Sequence, residues 1–195
     1  MSPSRAPTEL PDGFRYIPDA VDEDEERTLI ALLDSTEFHD VTMRGQTARR
    51  TVRHYGYDYD YENWRVTPTE PIPDELAWLR ERCASFAELH AGDLAEALLT
   101  RYPPGATIGW HRDAPMFGAK VIGVSLLAGC RMRFQRGSGA ERRVFDQDLA
   151  ARSAYVISGA SRSSWQHSIP PVKQLRYSIT FRTLRAKARA ATSRP

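Results

Sequence analysis

The sequence predicts an α+β protein, mainly β, in which an antiparallel double-sheet barrel carries helices packed on its outside. Three observations predict it. Apolar residues recur at helical spacing in two segments of the first 90 residues. After residue 96 the chain changes to short apolar stretches separated by Gly, Pro and Ser. No Gly-rich nucleotide loop opens a helix among those stretches. With 195 residues, 41% of them apolar, the length suits one domain with a real core.

In chain order, 1–13 is expected to be a flexible lead-in and 14–18 an edge strand. A helix is expected over 20–34, capped by Asp19 or Asp22, with an acidic first turn at its positive end and Leu29, Ile30, Leu32 and Leu33 on the apolar side. A second helix is expected over 73–90, from the spacing of Leu76, Leu79, Phe86 and Leu89. Strands are expected at 96–102, 119–128, 130–135, 142–145, 151–157 and 175–183. This divides the domain into an N-terminal helical and substrate-recognition region (14–95), a catalytic core (96–184) and a basic tail (185–195).

Composition narrows the setting. Cys83 and Cys130 form neither a disulfide scaffold nor a zinc-site spacing. No stretch reaches the roughly 18 apolar residues of a membrane span, and the lead-in lacks a signal peptide's apolar core. A soluble, reducing, cytoplasmic monomer is the expectation. Residues 1–99 hold 10 Lys/Arg against 21 Asp/Glu, and residues 100–195 hold 17 against 4. The basic half could face phosphates, or the halves could interleave and cancel.

Segment 43–65 packs four tyrosines, a tryptophan, a histidine and five arginines into one stretch. Tyr55, Tyr57, Tyr59 and Tyr61 alternate, so on one extended strand they would share a face. Aromatic faces beside arginines can stack on bases and hold phosphates. The bland alternative is a tyrosine-rich edge strand.

The sharpest signal is Gly109-Trp110-His111-Arg112-Asp113 with Trp165-Gln166-His167. Two histidines and a carboxylate on one face of a non-haem iron leave the other face open. Residues i and i+2 of an extended segment point the same way, so His111 and Asp113 can reach one ion. Catalytic zinc accepts the same ligands, but zinc hydrolysis has no need of the strand that follows. In Arg176-Tyr177-Ser178-Ile179-Thr180-Phe181-Arg182 the polar residues fall on one face. If that face points inward, two arginines are costly unless an anion meets them, and arginine's fork matches a carboxylate; the alternative is an outer sheet face exposed to water.

At these residues the sequence resembles the AlkB-like family of 2-oxoglutarate dioxygenases. The stretches are LLTRYPPGATIGWHRDAPMFG, VIGVSLLAGCRMRF and SWQHSIPPVKQLRYSITFR, and more loosely HYGYDY. The resemblance implies a double-stranded β-helix, or jelly roll, with Fe(II) on His111, Asp113 and His167 and O2 as cosubstrate. It places 2-oxoglutarate's distal carboxylate on Arg176, helped by Tyr102, and its iron-end carboxylate near Arg182. Thr100 and Ser178 stand where asparagine is common, so they would reach the cosubstrate with shorter side chains. Pro115 stands where several repair members carry an acidic base-reading residue, and proline offers neither a side-chain acceptor nor a backbone donor.

The resemblance implies oxidative demethylation of alkylated DNA or RNA bases, with a single-stranded or flipped base as substrate. Tyr55, Tyr57, Tyr59, Trp64 and Trp110 are then candidate walls, and Arg49, Arg50, Arg53, Arg131, Arg133 and Arg136 candidate phosphate contacts. The alternatives are a protein or small-molecule hydroxylase or demethylase on the same core, and a noncatalytic binding domain, against which the complete triad argues.

Overall fold

The computed structural model describes residues 8–43, 45–60 and 65–185. Most of the lead-in, Tyr61, Trp64 and most of the basic tail lie outside those residues. The strands are β1 (Phe14–Ile17), β2 (His39–Met43), β3 (Gln46–Tyr55), β4 (Tyr57–Asp60), β5 (Arg65–Pro68), β6 (Leu94–Tyr102), β7 (Ile108–His111), β8 (Phe117–Leu126), β9 (Cys130–Arg136), β10 (Arg143–Leu149), β11 (Ala154–Ile157), β12 (Gln166–Ile169) and β13 (Arg176–Leu184). The helices are α1 (Glu23–Ser35), α2 (Ala77–Phe86) and the single-turn α3 (Gly159–Ser163).

One sheet has seven strands, in the order β1-β11-β8-β13-β6-β3-β2, and a second has four, β10-β9-β12-β7. The pair β4-β5 stands apart. The expected closed double-sheet barrel, or jelly roll, is corrected here. Closure requires every edge strand to find a second partner. β1 pairs with β11 and β10 with β9, and among the described residues no ladder joins the edges of the two sheets. The molecule is an α+β protein, mainly β, with open antiparallel sheets.

Period-2 alternation sorts the large sheet. On β13, Tyr177, Ile179 and Phe181 join Leu29 and Leu33 of α1 and Leu79 and Cys83 of α2 in the main core. Arg176, Ser178, Thr180 and Arg182 point to the opposite face and line a cavity. β11 divides likewise, with Ala154 and Val156 in that core and Tyr155 and Ile157 packed against Met132 and Phe134 of β9. The helices therefore cover one face of the large sheet, and the small sheet packs on the other.

Local chemistry sets the helix ends. Asp22 caps α1: its Oδ1 accepts from the Glu25 backbone N–H at 2.8 Å, while Glu25 Oε2 accepts from the Asp22 N–H at 2.9 Å. The second helix is shorter than 73–90, because Asp74–Leu76 forms a 3-10 turn and the Ala87 N–H bonds back to Ala84 O.

The single tyrosine strand is also corrected. Gly56 has φ +77°, and a Cβ there would lie 2.1 Å from the Ala95 carbonyl oxygen. That turn ends β3 and starts β4. Tyr55 then packs on the helix-side core, whereas Tyr57 and Tyr59 pack near Phe117 and Leu184.

Candidate metal centre and cosubstrate cavity

The three candidate metal ligands meet because two short strands pair. His167 on β12 and His111 on β7 are direct cross-strand partners, with ring centroids 4.3 Å apart. Asp113 follows β7 by two residues. One ligand atom from each of the three lies within 4.8 Å of the others.

Hydrogen bonding fixes which His111 nitrogen faces a cation. Nδ1 lies 2.9 Å from the Gly109 carbonyl oxygen. A carbonyl only accepts, so Nδ1 carries the proton and Nε2 keeps its lone pair. Burial, then the charge of His111, pushes His167 down to about 4, so it is neutral and able to ligate near pH 7. Burial alone would raise the Asp113 carboxyl, but neighbouring positive charge, from His167 and His111 when protonated and from Arg182, holds it below its ordinary value. Asp113 Oδ2 is buried with no hydrogen-bond partner among the described residues. An orphaned carboxylate oxygen facing two imidazoles suits a divalent cation.

The cavity holding the triad encloses about 510 Å³. Arg176 lines it and is 1% exposed. Its Nε donates to Ser125 Oγ at 3.0 Å and its guanidinium sits 4.9 Å from the Tyr102 ring centroid. Its Nη1 is buried without a hydrogen-bond partner among the described residues. That free prong suits a carboxylate such as the distal end of 2-oxoglutarate. Tyr102 pairs with Arg176 across β6·β13, and Thr100 pairs with Ser178 one row further. All four line the cavity.

Arg182 lines the cavity at its metal end, beside Asp113. Its Nε and Nη2 both donate to Glu96, at 2.6 Å each, and Nη1 stands 3.6 Å from Asp113 Oδ1. Its fork therefore meets protein carboxylates.

Of the expected substrate residues, Arg50, Tyr59 and Trp110 line the cavity. Arg133 stacks over Trp110 at 5.0 Å and donates to Ser168 Oγ at 3.1 Å. Tyr57 lies beside Tyr59, outside the cavity lining. Tyr55 faces the helices and is withdrawn as a cavity wall. Among the other arginines, Arg53 pairs with Glu70, Arg131 with Asp148 and Arg136 with Glu9.

Sequence reasoning missed three residues. Glu96 is fully buried on β6, directly opposite Arg182; a lone acid in LAEALLTRY was the available signal. Arg162 on α3 donates to the backbone oxygens of Asp113 and Ala114 at 3.1 and 3.0 Å and fixes the turn at Asp113. Tyr155 lies across Gly123, where an added Cβ would sit 2.2 Å from the ring, and it lines the cavity. Glycine inside a strand was its trace.

An open cavity with two histidines, a carboxylate and a buried arginine defines a non-haem metal oxygenase site. Residues 13–182 match the model of the 2OG-Fe(II) oxygenase superfamily, and the chain belongs to that superfamily, among its AlkB-like members. It is 30% identical over 171 residues to the tRNA (carboxymethyluridine(34)-5-O)-methyltransferase ALKBH8 of Macaca fascicularis; the match covers 84% of this chain and 25% of that protein. The chain thus spans about a quarter of the length of the Macaca fascicularis, Xenopus tropicalis and Mus musculus ALKBH8 proteins it matches. The alpha-ketoglutarate-dependent dioxygenase AlkB of Escherichia coli is 26% identical, with 73% of this chain and 74% of that protein covered. Two solved structures share the fold. OsALKBH1 has a TM-score of 0.68 at 14% identity, over 90% of this chain and 99% of that one. A Trichoplax adhaerens prolyl hydroxylase bound to a peptide has 0.66 at 16%, over 94% and 88%. No helix among the described residues is long and apolar enough to cross a membrane.

Proposed function

We propose that the chain is an Fe(II)/2-oxoglutarate-dependent oxygenase that hydroxylates a C–H bond of a peptide, small molecule or nucleobase. The observation that carries this is the pairing of the three-ligand cluster with a free arginine prong in one cavity. His111, Asp113 and His167 hold the metal, and Arg176 takes the cosubstrate's distal carboxylate beside Tyr102, with Thr100 and Ser178 in reach. When bound, iron, 2-oxoglutarate and O2 supply the oxidation: one oxygen atom leaves in succinate, the other enters the substrate carbon, and CO2 is released. Where that carbon is a methyl on nitrogen, the hydroxylated product breaks down to formaldehyde and the N–H compound. The chain's own part is positioning. Arg162 holds the backbone of the Asp113–Ala114 turn, the His111 tautomer is set by Gly109, and the apolar walls Val121, Met132 and Ile157 limit water.

Hydroxylation of a peptide or small molecule on this core needs only these features. Demethylation of DNA or RNA bases is the second reading. It is favoured by the similarity to a relative named as an alkylated DNA repair protein, the ALKBH8 homolog of Arabidopsis thaliana, and by Trp110 and Arg50 in the cavity lining with Arg133 stacked over Trp110. It lacks a side-chain acceptor at Pro115, which is exposed. Succinate release by the iron-loaded protein, measured with N1-methyladenine or N3-methylcytosine oligonucleotides, methylated peptides and small amines, tests both. Succinate stoichiometric with methyl loss from one class identifies it. No stimulation by any class would count against hydroxylation of these substrates.

A further inference from the structure

The Arg182 guanidinium is buried beside the metal ligands, and its permanent charge would oppose a dication bound at Asp113. The opposite strand supplies the compensation. Glu96 is the direct cross-strand partner of Arg182, is 0% exposed, and accepts from both Nε and Nη2 at 2.6 Å. His54 Nδ1 lies 3.0 Å from Glu96 Oε1; a carboxylate oxygen accepts, so the imidazole donates. Three donor atoms on two side chains thus fix the Glu96 carboxylate. The remaining Arg182 nitrogen, Nη1, is directed to Asp113 Oδ1 at 3.6 Å. Burying a carboxylate away from water is unfavourable unless its partners are complete. This one would be superfluous if Arg182 served chiefly to bind a cosubstrate anion, because it occupies the two-pronged face such an anion would use.

We propose that Glu96 is a positioning residue of the metal centre: it cancels the charge of Arg182 and holds that guanidinium against the Asp113 carboxylate, leaving the cosubstrate's distal carboxylate to Arg176. The inference rests on the oxygenase reading of the site. It goes beyond that reading by assigning Arg182 to the metal ligand and giving Glu96 a role in metal affinity.

Its signature is a pair of effects of unequal sign. In Glu96→Gln the fork keeps one acceptor but the negative charge is gone. A dication should bind more weakly, while a dianion beside the guanidinium, with one negative neighbour fewer, should bind no more weakly. The test uses Mn2+ as a redox-inert probe, titrated by the loss of its free-ion EPR signal. 2-Oxoglutarate is then titrated calorimetrically at saturating Mn2+. In Glu96→Gln the Mn2+ dissociation constant is expected to rise on the order of tenfold, the size typical of losing a ligand's supporting partner. The 2-oxoglutarate constant should stay level or fall. Unchanged Mn2+ affinity would overturn the proposal, and so would parallel loss of both affinities, which is what mere structural damage produces. If Glu96→Gln does not fold, Glu96→Asp keeps the charge but is too short to span both prongs. Weaker Mn2+ binding is then expected, and unchanged binding overturns the proposal. The unaltered protein serves as control: its failure to bind Mn2+ would remove the oxygenase reading as well, whereas binding shared equally by the variant removes this inference alone.

Discussion

His111 can offer a cation only its Nε2, because the Nδ1 proton is engaged by Gly109. The ligand set therefore depends on three atoms whose orientation is built before any ion arrives. Losing a supporting partner of a metal ligand lowers affinity or activity by about 10- to 100-fold, so losing a ligand outright, as in His167→Ala, is expected to cost more than about 100-fold in Mn2+ affinity. Retained affinity would remove His167 from the site. Arg176→Lys keeps the charge but loses the planar fork, and 2-oxoglutarate binding at saturating Mn2+ is expected to weaken on the order of 10-fold or more. Equal binding by the two proteins would show that another group holds the distal carboxylate. His167 also sets a pH dependence for the metal-free protein. Its folded value of about 4 lies below the ordinary histidine value of 6.5. The unfolded chain therefore takes up the proton first, and stability falls as pH drops from 6.5 toward 4. His167→Gln should flatten that part of a thermal-denaturation profile measured against pH.

At the scale of elements, what could be read from sequence depended on how local the cause was. The capping box of α1 lies within four residues, so Asp22 was one of two candidates and the helix start was missed by only a few positions. The alternation of 176–182 was visible because every second residue changes character. Glu96 was not, since its meaning comes from a strand 86 residues away. The pairing of His111 with His167 depends on β7 and β12, four-residue strands too short to announce themselves by periodicity. The tyrosine run failed as a single strand because Gly56 inserts a left-handed turn against Ala95. Replacing Gly56 by Ala combines positive φ with a backbone clash, and a loss of more than about 2 kcal/mol in denaturant unfolding is expected. A change of a few tenths would show that the β3–β4 turn relaxes freely. Cys83 on α2 lies in the core, its thiol pushed up to about 12 by burial. It should resist a thiol reagent at pH 8 until the protein unfolds, and rapid labelling in the folded state would mean that α2 does not stay packed.

Across the whole molecule, the acidic first half and the basic second half interleave. Arg136 meets Glu9, Arg152 lies near Glu23 and Glu26, and Arg182 meets Glu96. These cross-pairs partly cancel the asymmetry seen along the chain, so charge alone does not designate a phosphate-binding face. What the architecture does supply is a cavity between two open sheets, with helices sealing the far side of the larger. An ion held by both β7 and β12 links that small sheet to the turn carrying Asp113. Metal bound at 100 times its dissociation constant should therefore stabilise the folded state by about 2.7 kcal/mol. The central claim is tested most directly by anaerobic reconstitution with Fe(II) and 2-oxoglutarate, admission of O2, and measurement of succinate. The unaltered protein is expected to form succinate above the protein-free background, and the Asp113→Ala variant is not. Absence of succinate from the unaltered protein with its iron content verified, or equal formation by the two proteins, would contradict it.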